Sequence, residues 1–308
     1  MEKDHNDYRP SGWKARLTKT AVGLFSHAPD PLENTFDYPN DPGIFGPDST
    51  TWKIMGDVSS FIGGIRALLV QAAHPEVASG VADHSNYRDD PLGRLSRTAS
   101  YVTCTAFGSN PEVNSSIKMV RFSHKEITGT SERGKTYSAY NPEMAAWVHN
   151  ALIDSFLVAY QEFGPSTLGK EEADSYVAEQ TNLGNLMGAD PLPDNAKSLS
   201  LWLSEHPMLG ESKAGLEAIS FLNKPPLPLP TRLAYKVLFN AAVSTLPESL
   251  CSALALEPKP GAQKAGITLT KIIRSALGFS PAWAAALDRT GTPRPEGITF
   301  RYASGVTR

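Results

Sequence analysis

The chain has 308 residues, 41% of them hydrophobic and 20% charged, with a formal charge of −3. That length is enough for one large or two small globular domains with a sizeable core, and the mild acidity without a basic run gives no electrostatic case for nucleic acid. The longest strongly apolar stretch, Ile65 to Ala73, contains Arg66 and Gln71 and is too short to span a bilayer, the N-terminus MEKDHNDYRP lacks the apolar core of a signal peptide, and the two cysteines, Cys104 and Cys251, form no disulfide framework, so a cytoplasmic protein without a transmembrane segment is expected.

Residues 1–50 are rich in Pro, Asp and Gly and punctuated by Trp13, Phe25, Phe36, Tyr38 and Phe45. A short helix around Trp13–Phe25 is expected, followed by an extended arm whose aromatics pack on the body. Over 57–74, Val58, Phe61, Ile62, Ile65, Leu68, Leu69 and Ala72 recur at helical spacing. Gly63-Gly64 lie inside that helix at a cost of about 1 kcal/mol each relative to alanine, and they invite close approach by another helix or by a flat ligand. His74-Pro75 ends this helix and Pro75-Glu76 can start the next. His84 follows ten residues after His74. The two could be ligands, hydrogen-bond partners or helix caps; capping is favoured, because no two-ligand spacing on one helix face is present.

The segment LGRLSRTASYV predicts a helix with an unusual polar face. At about 100° per residue, Arg94, Arg97, Thr98, Tyr101 and Thr105 share one side, beside an apolar face of Leu95, Ala99, Val102 and Ala106. The polar side offers two arginines, two hydroxyls and a phenol, and no acid. Asn110-Pro111 supplies an N-cap and a proline at N1 for the next helix. Its apolar stripe is Val113, Ile117, Val120, His124 and Ile127, so His124, 26 residues past Thr98, holds a core position. An imidazole there is either a satisfied core residue or a metal ligand, and the pattern alone does not choose.

Gly129-x-x-x-x-Gly134-Lys135-Thr136 fits the expression for a phosphate-binding loop, but no strand precedes it and Tyr137 to Pro142 follows in place of a helix, so that reading is rejected. Asn141-Pro142 opens a long helix reaching Phe163, apolar on nearly all sides and therefore buried; His149 within it needs a partner, a backbone carbonyl being favoured over a second metal centre. An acidic helix over 168–188 and shorter helices over 194–205, 207–222 and 231–246 follow, then one after Leu246-Pro247 and a basic amphipathic piece at Ile267–Leu277. Pro225 to Pro230 is a rigid strap. The tail from Thr290 is irregular, and there is no internal repeat.

The stretch GGIRALLVQAAHPEVASGVADHSNYRDDPLGRLSRTASYV resembles the family of the MpaB-type oxygenases and the rubber oxygenase known as latex clearing protein. The similarity continues through His124, GTSERGKTY, NPEMAAWVHNALIDSFLVAY and LPESL, over roughly residues 50–255. The resemblance implies a mostly helical, globin-like core and a non-covalent haem b. Latex clearing protein carries its proximal histidine downstream of an Arg-x-x-Lys-Thr motif. Arg94-Leu95-Ser96-Arg97-Thr98 looks like that motif with arginine for lysine, and His124 stands where the proximal ligand belongs. Lysine can lose its proton and ligate iron; arginine stays charged, which puts a lysine-ligated closed state in doubt here.

The expectation is therefore an all-α fold: an arm over 1–50, a helical oxygenase-like domain over 51–258 and a C-terminal extension over 259–308. The function expected is haem b-dependent oxygenation of a hydrophobic small molecule by dioxygen. His124 would bind the iron; Arg94, Arg97 and Thr98 would form the catalytic cap, with Arg94, Arg97 and Tyr101 also contacting the cofactor. Two alternatives remain: a non-catalytic helical binding protein of the same fold, and a non-haem metal oxygenase using His74, His84, His124 and His149. The sequence leaves the substrate and the oligomeric state open.

Overall fold

Fourteen helices and one small hairpin make up residues 11–299, the part of the chain that the computed structural model describes. The all-α expectation holds. The chain forms two compact units: described residues 11–58, 86–116 and 270–299 make the first, and 59–85 with 117–269 the second.

In the first unit, α1 (Gly12–Phe25), α2 (Thr50–Met55) and α14 (Pro281–Thr290) all pack against α5 (Pro91–Phe107). Ser96, fully buried, joins the first pair: its hydroxyl donates to the Leu24 carbonyl and accepts from the His27 N–H. The core is Leu32, Trp52, Phe107, Trp283 and Leu287, with Phe45 packed on it; of the arm's aromatics Phe45 thus packs on the body, whereas Trp13 is 56% exposed. Arg289 is buried and donates to the Thr35 hydroxyl and to the carbonyls of Asp41 and Phe107, so one side chain ties the arm, α5 and α14 together. Asp57, also buried, receives both Nε and Nη2 of Arg274 at 2.6 and 2.9 Å.

The second unit is built on α3 (Ser60–Ala72) crossing α7 (Pro142–Phe163). They cross at Gly63, where a Cβ would fall 2.6 Å from Phe156 Cδ1; Gly64 has open space beside it. The glycine pair therefore serves a helix crossing at Gly63. Arg66, 2% exposed, donates from α3 to Asp154 Oδ2 at 2.6 Å and to the Ser155 hydroxyl at 2.8 Å on α7. A buried charge is tolerated only when paired in this way. Around the crossing pack α4 (Pro75–His84), α8 (Lys170–Met187), α9 (Ala196–Ser204), α10 (Lys213–Asn223) and α11 (Leu229–Val243). Helix α12 is Glu248–Ala253; α6 (Asn110–His124) and α13 (Ala262–Leu277) run from one unit into the other.

Strands β1 (Thr128–Thr130) and β2 (Thr136–Ser138) pair antiparallel, with Gly134 at φ 72° in the turn. This hairpin is the Gly129–Thr136 segment, so the residues that fit the phosphate-loop expression close a β-turn. Side-chain bonds hold it to α4: Tyr137 Oη donates to Asp83, His84 Nε2 to the Thr128 carbonyl, and Ser131 Oγ and the Arg133 guanidinium to Glu76.

Candidate active site

Helix α5 begins at a strong cap. The Asp90 carboxylate accepts from the Gly93 N–H, and Pro91 occupies the first helical position. The predicted polar face then divides. Arg97 and Thr98 are exposed, and Arg97 donates to Asp90 Oδ2 at 3.0 Å. That hydrogen bond from Arg97 holds the Asp90 carboxyl below its usual range. Arg94 and Tyr101, two turns apart, are half-buried. The Arg94 guanidinium lies 5.7 Å from the centre of the Tyr87 ring and has no ion pair or hydrogen bond among the described residues. Burial lowers its pKa, and the like charge of Arg97 adds to this. Burial, with the nearby Cys104, raises the Tyr101 phenol, and its hydroxyl has no hydrogen-bond partner among the described residues. Thr105 is buried and donates back to the Tyr101 carbonyl.

His124 is the last residue of α6 and belongs to the second unit, whereas Arg94, Arg97, Thr98 and Tyr101 belong to the first. It is half-buried, and burial lowers its pKa. Its imidazole has no hydrogen bond among the described residues. The other interior histidines are all engaged. His74 caps α4, its Nδ1 accepting from the Val77 N–H, and burial pushes its pKa to about 4. His149 donates to the Gln180 carbonyl at 3.0 Å and is likewise pushed to about 4 by burial. His206 Nδ1 accepts from the Met208 N–H. Of the two exposed histidines in the described chain, His84 holds the hairpin and His27 stands in the arm. The cap expected for His74 and the carbonyl partner expected for His149 are both present.

One buried network carries no sequence signature. Glu76, 2% exposed, takes hydrogen bonds from Ser131 and from two guanidinium nitrogens of Arg133. Burial alone would raise this carboxyl, but the bonds from Arg133 and Ser131 outweigh it and the net shift is downward. Beside it the rings of His74, Trp147, Trp202 and His206 pack at centroid distances of 4.6 to 5.9 Å. Glu76 and Arg133 lie 57 residues apart, and no spacing rule joins them.

Two kinds of iron site can be weighed on these side chains. A metal ion held by the protein alone needs several donors together, and among the described residues no group of three or more His, Cys, Asp or Glu could hold one. His74, His84, His124 and His149 form no such group. A haem needs one free imidazole from the protein, with polar donors to tune it. His124 has free ring nitrogens among the described residues, so its imidazole fits that need; Arg94 and Tyr101, in the first unit, carry unused donors of their own.

Residues 52–276 match the family model described as ER-bound oxygenase mpaB/B'/rubber oxygenase, catalytic domain. Neither a curated protein nor a solved structure matches the chain. The match spans most of the sequence, with the Arg94–Thr98 segment and His124 inside it, and the chain belongs to the mpaB and rubber oxygenase catalytic-domain family.

Proposed function

We propose that this oxygenase-family chain is a haem b-dependent oxygenase of a hydrophobic small molecule, with His124 as the iron-binding imidazole and Arg94 as the charged donor toward dioxygen. The observation that carries this reading is the state of His124, an imidazole desolvated by burial and free of any hydrogen bond among the described residues. The residue is half-buried and no group among the described residues claims its ring nitrogens, so they are open to a ligand. The family motif joins it to Arg94, the desolvated cation without an acid.

When bound, the haem supplies dioxygen binding and activation. The lowered pKa of His124 keeps its ring neutral at pH 7, so it offers a lone pair without first losing a proton. Arg94 brings a permanent positive charge and fixed N–H donors; deleting one pre-organised donor of this kind costs about 3 kcal/mol of activation energy. Tyr101 keeps its hydroxyl proton because burial raises its pKa, and it serves as a second donor two turns along the same helix face. Arg97, exposed and bound to Asp90, positions the start of α5, and Thr98 beside it is a surface residue.

The test is the absorption spectrum of the purified chain after reconstitution with haem. A Soret band that is lost in His124→Ala, with circular dichroism unchanged, supports the reading. Bound iron without a Soret band favours a non-haem oxygenase, and neither signal favours a binding protein. Full haem occupancy in His124→Ala would move the ligand elsewhere.

A further inference from the structure

Helix α11 turns its leucines outward. Leu229 is 59% and Leu233 63% exposed, and they share a stripe with Arg232 and Lys236 at i, i+3, i+4 and i+7, about 100° wide. Most helices bury the leucines of such a stripe and leave its cations on the opposite face. Here Leu229, Arg232 and Leu233 are exposed together, with Lys236 half-buried beside them. Lys236 hydrogen-bonds Asn223 and lies over the Phe239 ring. Burial lowers the pKa of its ammonium, and the charges of Lys259 and Lys224 lower it further. No ion pair engages Lys224, Arg232, Lys236 or Lys259 among the described residues. Like charges gathered without an acid repel one another, and an anionic partner relieves the repulsion. No basic run announces this cluster, because its members come from positions 224, 232, 236 and 259. Pro225, Pro226 and Pro228 lead directly into the first turn of α11, which limits the ways the leucines can fold away.

We propose that the outer stripe of α11 docks the protein on a bilayer surface rich in anionic lipid, with Leu229 and Leu233 entering the headgroup boundary and the exposed cations Lys224, Arg232 and Lys259 meeting lipid phosphates. Among the described residues no helix is long and apolar enough to cross a membrane, and the proposed contact lies along the lipid surface. A lipid surface suits the stripe better than an acidic protein does. Two of these three cations are lysines, flexible point charges that match mobile headgroups, and the leucines stand proud of the helix where a soft apolar layer can take them.

The experiment is sedimentation of the full chain with vesicles of phosphatidylcholine, with and without phosphatidylserine. Binding is expected only with phosphatidylserine and should weaken as salt rises. Lys224→Gln with Lys259→Gln should weaken it more than about tenfold, each lysine near an anionic surface being worth about a fivefold factor. Leu229→Ser with Leu233→Ser should weaken it about tenfold. All four side chains can be changed without touching the core, and unchanged circular dichroism checks that. Met119→Ser with Phe122→Ser removes another exposed apolar pair, on α6, and should leave vesicle binding intact. The proposal is overturned by absence of binding, by equal binding to both lipids, by wild-type binding of the leucine pair variant, or by loss in the Met119 and Phe122 pair alone. Capture by immobilised polyglutamate without vesicle binding also overturns it, in favour of an acidic protein partner.

Discussion

Arg97 Nη1 donates to Asp90 Oδ2 at 3.0 Å, and Asp90 is the cap of the same helix that carries Arg97. In the resembling rubber oxygenase motif this position is a lysine. An arginine keeps its charge at every working pH, and this one already donates to Asp90. The ferric haem-loaded protein should therefore take up exogenous imidazole or cyanide in a single fast phase. Arg97→Lys should shift its spectrum toward low-spin at alkaline pH, where lysine can deprotonate. A wild-type spectrum already low-spin with a nitrogen donor would contradict this.

The two arginines should separate in kinetics. Arg94→Met removes a desolvated charge and is expected to lower turnover about 100-fold. Arg97→Met removes only a solvent-screened pair with Asp90 and should lower turnover less than about tenfold. Steady-state oxygen consumption on a common substrate measures both. The opposite ranking would move the donor role to Arg97.

The glycine pair in α3 should respond asymmetrically. Gly63→Ala drives a methyl into Phe156 and should destabilise the fold by about 1–3 kcal/mol. Gly64→Ala meets nothing within 4 Å and gains helix propensity, so it should stabilise by up to about 1 kcal/mol. Urea unfolding of the two variants gives the comparison; equal destabilisation would contradict a crossing at Gly63.

Acid should weaken the protein well before its carboxylates are titrated in bulk. His74 and His149 are held at about 4 in the folded chain against 6.5 when free. Between those values the unfolded chain binds protons that the folded chain does not, so stability rises with pH from about 4 to 6.5 and levels off above. Each histidine adds at most about 1.4 kcal/mol per pH unit. Glu76 acts in the same direction at lower pH: its folded pKa is depressed, so its contribution is present above the free value of 4.5 and is lost as pH falls through the folded one. Urea midpoints across this range should show the slope, and His149→Gln, which keeps a donor for the Gln180 carbonyl, should reduce it. A flat profile would show that neither ring is buried neutral.

Much of the fold was written in caps and periodicity. Asn141-Pro142 starts α7 and the apolar spacing after Val58 is α3; α6 begins one residue earlier than expected, at Asn110, with Ser109 rather than Asn110 as the capping residue. The hairpin escaped because three-residue strands are too short for alternation to show. Helix α14 and the six-residue α2 were not anticipated either; their neighbours in the first unit's core come from distant positions. In the candidate site, a helical wheel put Arg94 and Arg97 on one face and could rank neither. Asp90 separates them, and it reaches Arg97 only because the cap turns its carboxylate back along the helix. The freedom of His124 was equally hidden, since helical periodicity places a residue on a face and says nothing of its hydrogen-bond partners.

The packing of Trp52 and Phe107 sets a limit on how this protein can be trimmed. A chain cut to the family-matched residues 52–276 would keep both rings but discard Leu32, Trp283, Ala284, Ala286 and Leu287, which cover them. It would also lose Arg289, whose guanidinium saturates the Phe107 carbonyl. The matched segment is thus a unit of descent whose apolar interior is completed by its own flanks, and shortening it to those borders would convert that interior into a sticky surface.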